Sequence, residues 1–153
     1  MSTAPHPVAL PPPTRPETDE FLRQLHALMH LDEPPILFRD DRPKNVQALA
    51  DLKLRRGERQ QYIAALRSEQ ACQRLVPDNE RAAAAHRWLW VFGVLVGRAG
   101  KRQRPAYVKV QLSVHAAAPV CISFHAPEFP LHFLFPSAYS AAFQRASHPD
   151  AKS

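Results

Sequence analysis

Ala106-Tyr107-Val108-Lys109-Val110-Gln111-Leu112-Ser113-Val114 alternates without a break. Val108, Val110, Leu112 and Val114 take the even positions; Tyr107, Lys109, Gln111 and Ser113 take the odd ones. Successive strand residues point to opposite faces, so a period of two predicts a strand with one apolar and one polar face. Residues 88 to 96 before it and the shorter stretch 119 to 125 after it also read as strands. In the last of these, Val120, Ile122 and Phe124 are assigned to the core face, with Cys121, Ser123 and His125 opposite. Both apolar faces must bury on the same side, which brings the two polar sets together.

A loop over 115 to 119 pairs Val114 with Val120, placing Lys109 across from His125 and Gln111 across from Ser123, with Cβ atoms roughly 4.5 to 5.5 Å apart. A slip by two residues makes the pair diagonal without changing the face. The hairpin over Gly97 to Pro105 sends Trp90, Phe92 and Val94 to the core and leaves Val91 and Gly93 beneath the polar side.

Upstream the period is helical. Phe21, Leu22, Leu25, Leu28 and Met29 predict a helix from Glu17 that ends before Pro34-Pro35. Ile36 to Phe38 reads as a short edge strand followed by a charged turn. Val46, Leu49 and Leu52 mark a second helix with Asn45 as its cap; Tyr62, Ile63 and Leu66 mark a third after Gly57, and Ser68 caps one further turn. Residues 76 to 87 read as a loop. Helices followed by an antiparallel meander predict an α+β fold, with the helices on one face of a small sheet. Six of the 16 prolines fall in residues 1–16, read as a Pro-rich tail; 17–136 is the single domain, and 137–153 a C-terminal tail.

At 153 residues and 45% apolar, the chain can bury an ordinary core, which excludes collagen-like and wholly disordered classes. Its net charge of +6 is uneven. Up to residue 80 there are 11 Lys+Arg against 12 Asp+Glu; beyond it there are 9 against only Glu128 and Asp150. A basic half poor in carboxylates points to a polyanion, RNA or DNA before an acidic protein, or else to a solubilising surface. Arg98, Lys101, Arg102 and Arg104 concentrate in the hairpin loop, as a phosphate-backbone contact or a solvated tip. Two cysteines 49 residues apart make neither a zinc site nor a disulfide framework. With no signal-like or spanning apolar run, a cytoplasmic protein without membrane contact is expected.

Tyr, Lys, His and nearby Arg on one sheet face suit metal-free RNA cleavage, or else form an ordinary solvated strand face. A base takes the 2′-hydroxyl proton, cations hold the charge at phosphorus, and an acid protonates the leaving 5′-oxygen. A histidine, with an ordinary pKa of about 6.5, serves either transfer. Tyr107 or Glu128 is its complement and Lys109 the charge stabiliser. His26 and His30, one helical turn apart, lack a third ligand and read as surface residues. Cys121 and His125 lie about 13 Å apart along a strand, too far for thiol activation. Trp88 and Trp90 read as packing residues.

Leu89-Trp90-Val91-Phe92-Gly93, Ala106-Tyr107-Val108-Lys109-Val110 and Val120-Cys121-Ile122-Ser123-Phe124-His125-Ala126-Pro127-Glu128-Phe129-Pro130 together resemble the C-terminal half of MqsR-like toxins. Residues 45 to 66 resemble the helical region preceding that half, and the likeness spans about 36 to 136. It implies a RelE-like fold and a ribosome-independent mRNA interferase that needs no metal or cofactor and is neutralised by a cognate helix-turn-helix antitoxin. It also implies catalytic roles for Tyr107 and for His125, where the best-known branch has Lys. Arg74 is the nearest candidate for a further RNA-contacting position, although Gln73-Arg74 and Val91 do not clearly match the family's remaining Lys and Gln. The alternative is a non-catalytic RNA- or protein-binding module using the same basic face.

Overall fold

The computed structural model describes residues 8–31, 35–77, 84–98, 101–112 and 118–148. The fold is α+β. Strands β1 (Val8–Ala9), β2 (Leu37–Phe38), β3 (Ala71–Val76), β4 (Leu89–Val96), β5 (Arg104–Gln111) and β6 (Val120–His125) form one sheet in the order β1-β3-β4-β5-β6-β2. All neighbours are antiparallel except β2 with β6, which is parallel. The helices are α1 (Arg15–Met29), α2 (Pro43–Asp51), α3 (Arg59–Ala64) and α4 (Ala138–Ser147).

Helix α1 begins where Thr14 and Glu17 cap each other reciprocally, Glu17 Oε1 accepting from the Thr14 N–H at 2.8 Å and Thr14 Oγ1 from the Glu17 N–H at 3.2 Å. Its apolar stripe, Phe21, Leu22, Leu25 and Met29, is buried against Trp90, Phe92 and Val94 of β4, with Phe21 stacked on Trp90 at 4.4 Å. Ala48 of α2, Leu52 just after it and Ile63 of α3 join the same core, as do Val108 and Val110 of β5. The expected packing of the N-terminal helices on this face therefore holds. Each such Phe, Leu, Ile or Val contributes roughly 1.5 to 3 kcal/mol when fully buried.

The expected tails are partly ordered structure. Val8–Ala9 pairs with Val76–Leu75, and α1 starts at Arg15, inside the stretch read as a tail. Helix α4 lies in the other expected tail and covers part of the sheet face opposite α1. Tyr139 and Phe143, four residues apart, share one side of α4. Phe143 is 1% exposed among Val91, Leu131 and Tyr107. The Tyr139 hydroxyl donates to the Gly93 carbonyl at 3.1 Å and accepts from the Leu95 N–H at 2.8 Å. Gly93 leaves room there, since a Cβ would come within 2.6 Å of Phe133 Cζ and force that ring to shift. Val91 and Gly93 thus floor a second small core rather than an open polar face.

Residues 71–76, where the sequence reading assigns no strand, form β3, and Asn45 lies inside α2, whose first residue is Pro43. Residues 1–7, 78–83, 113–117 and 149–153, parts of the expected tails, loops and strand end, lie outside the described residues. Among the described residues no helix is long and apolar enough to cross a membrane.

Candidate functional site

β5 and β6 pair two residues out of the expected register. Tyr107 opposes His125 and Lys109 opposes Ser123, so Lys109 and His125 are diagonal neighbours on one face. Beyond Lys109 the register shifts by one, because β6 carries an extra residue at Cys121-Ile122 opposite Val110. That bulge overturns the expected faces at the start of β6. Cys121 is fully buried in the helix-side core, and Ile122 packs against the opposite cluster. Burial pushes the Cys121 thiol up to about 12, which makes it unreactive at neutral pH.

Asn45 stabilises the bulge. Its Nδ2 donates to the carbonyls of Arg39 (2.9 Å) and Ile122 (3.0 Å), and its Oδ1 accepts from the Phe124 N–H at 3.0 Å. The carboxamide thereby continues the edge pairing of β6 past the two residues of β2. It also anchors the 39–45 segment beside the sheet, with Arg42 Nη1 donating to the Ile122 carbonyl at 3.2 Å.

The result is a cleft of about 510 Å³ lined by Arg39, Arg42, Lys44, Tyr107, Lys109 and His125, with Asp41, Ser123, Glu128 and Phe129 among its other walls. Four cations against two carboxylates make it electropositive before any charge on His125. Arg39 is chelated by Asp41, at 2.9 and 2.8 Å. Lys44 Nζ and Glu128 lie 2.7 Å apart across the opening, and both, like His125, also line a second hollow of about 370 Å³ next door.

Tyr107 is 8% exposed rather than open to solvent, and its ring stacks on the His125 imidazole at 5.3 Å and 16°. Burial, with smaller contributions from Cys72 and Glu128, raises its pKa, so the phenol stays protonated at neutral pH and has a proton to give. Glu128 is the reverse case: the hydrogen bond from Lys44 lowers its pKa, and the carboxyl stays ionised. His125 Nδ1 lies 2.9 Å from the Ala126 carbonyl. That contact places a proton on Nδ1 and leaves Nε2 as the nitrogen that gains or loses the second one.

The structure brings Tyr107, Lys109, His125 and Glu128 together but not the other expected contacts. Arg98, Lys101 and Arg102 are exposed at the far end of the β4–β5 hairpin, outside the cleft lining. Arg104 opposes Val96, on the helix side of the sheet, about 10 Å of strand before Tyr107. Arg74 is also on that side. Its guanidinium lies 4.9 Å from the Trp88 ring and donates to the Pro11 carbonyl at 3.1 Å, so it holds the N-terminal segment rather than the cleft. Arg39, Arg42 and Lys44 were missed as site residues; their only signal was a charged turn between an edge strand and a helix.

No family model, curated protein or solved structure matches the chain. Among the described residues, no three His, Cys, Asp or Glu side chains converge as metal ligands.

Proposed function

We propose that the protein is an endoribonuclease that cleaves single-stranded RNA by attack of a 2′-hydroxyl on the adjacent phosphate. The supporting observation is the stacked Tyr107–His125 pair at the base of an electropositive cleft. His125 Nε2 takes the proton from O2′ as the O2′–P bond forms. Lys109 and Arg42 hold the charge that develops on the phosphoryl oxygens. As the P–O5′ bond breaks, the protonated Tyr107 phenol supplies the proton to O5′, and the imidazolium returns its proton to the phenolate through solvent. The products are a 2′,3′-cyclic phosphate and a 5′-hydroxyl. Glu128, ionised and paired with Lys44, takes no acid role. It offsets cationic charge at the opening.

In this reading the chain is the toxin of a toxin–antitoxin pair. It acts on mRNA in the cytoplasm, and its cognate antitoxin silences it by covering the cleft. The test is the chemistry of the ends. Purified protein incubated with a single-stranded RNA should leave 2′,3′-cyclic phosphate and 5′-hydroxyl termini and should spare the same strand carrying 2′-deoxyribose. Products with 5′-phosphates, or equal cleavage of the deoxy strand, would exclude this mechanism. RNA binding with no cleavage by any preparation would favour a non-catalytic module.

A further inference from the structure

Of the large apolar side chains that stand exposed among the described residues, Leu31, Leu37, Val46 and Phe129, only Phe129 is aromatic and only Phe129 lines the cleft. The residue is 52% exposed, and its ring meets Tyr107 edge-on at 5.8 Å and 76°. Tyr107 in turn stacks on His125, so the buried Tyr107 ring joins the exposed Phe129 ring to the imidazole. Pro127 and Pro130 flank the segment and restrict its backbone, which lowers the entropy lost when the ring receives a ligand.

We propose that Phe129 is the stacking platform for one nucleobase of the bound RNA, and so a specificity-determining residue of the cleft. This inference rests on the reading of the cleft as an RNA site. A protein hot spot would set such a ring at the centre of a desolvated, packed patch, whereas Phe129, although it also borders an apolar hollow with Leu131 and Phe143, opens on a cleft that holds Arg39, Arg42, Lys44 and Lys109. Single-stranded RNA presents what those neighbours match, a π-face beside a phosphate at every step. Stacking tolerates every base, so the selectivity expected at this position is graded, purine over pyrimidine, rather than absolute.

The probe is an uncleavable 2′-O-methyl oligoribonucleotide in which a single abasic site is moved along the strand, with binding followed by fluorescence anisotropy at constant salt. With the unaltered protein, one abasic position should weaken binding about 5- to 100-fold. With Phe129→Ala that penalty should shrink to within twofold, and Phe129→Trp should restore it. A penalty that persists in Phe129→Ala overturns the proposal and leaves the ring to a protein contact. Cleavage of the matching RNA, measured in parallel, separates the two claims. Cleavage with an unchanged abasic penalty rejects only the stacking role, and the expected penalty without cleavage rejects only the nuclease. Failure of the unaltered protein to bind the oligonucleotide overturns the stacking role, and failure to cleave the matching RNA as well overturns both.

Discussion

The two faces of the sheet are built to different ends. On the α1 side, Phe92, Val108 and Val110 are fully buried and continuous with Leu25 and Ile63. On the other side, α4 packs against both β4 and β5, and the half of the sheet around Lys109 and His125 opens into the cleft beside the 39–45 segment. The covered face carries stability; the open half carries charge and titratable groups. A half-covered sheet lets Tyr107 be part of a small core and of the cleft at once, which is why its phenol stays protonated.

Mutations can sharpen that division. The largest loss of stability is expected for Phe92→Ala on the covered face, about 3 to 5 kcal/mol in denaturant unfolding. Asp40→Ala should follow at about 3 kcal/mol, because it strands Arg59, a side chain 3% exposed whose guanidinium meets Asp40 at 2.8 and 2.9 Å. The hydrogen bond from Arg59 lowers the Asp40 pKa, so this stabilisation is complete above the unfolded value of about 3.9 and is lost as pH falls through the folded one. Asp40→Asn should accordingly flatten the acid limb of an unfolding curve.

On the open half the loss should fall on rate. Tyr107→Phe keeps the ring stack, and cleavage should drop about 100-fold, equivalent to about 2.7 kcal/mol of barrier, with the unfolding midpoint little changed. Gly93→Ala tests the boundary between the halves. Its Cβ meets Phe133, so a loss of about 1 to 3 kcal/mol is expected, partly relieved when Phe133→Ala is added. The smallest effect on folding belongs to the hairpin: reversing Arg98, Lys101 and Arg102 to Glu should leave stability within about 0.5 kcal/mol. Unchanged salt dependence of RNA binding in that variant would confine the RNA contact to the cleft.

The sequence made some of this legible and hid the rest for physical reasons. The β5 alternation and the stripe of α1 are regular, so strand, helix and buried faces could be read from period alone. The β6 bulge could not, because it depends on Asn45, nearly eighty residues away, taking over the strand's edge. Its consequence, the reversal of Cys121 and Ile122, was equally invisible. β3 has an irregularity of its own between Ala71 and Gln73, which breaks the alternation that would have marked it. Helix α4, rich in Ala and Ser, has just two large anchors, Tyr139 and Phe143, too few for a clear stripe. Tyr107, Lys109 and His125 were placed on one face correctly because a slip of two residues preserves parity. The cations of the 39–44 turn reach them only through tertiary folding.

The most direct test compares the RNA cleavage rate of His125→Ala with that of the unaltered protein, with the unfolding midpoint of both preparations recorded. A rate reduced at least about 100-fold at an unchanged midpoint is the expected result. A rate within twofold of the unaltered protein, at the same midpoint, would contradict the assignment of His125 as the base and of this cleft as the catalytic site.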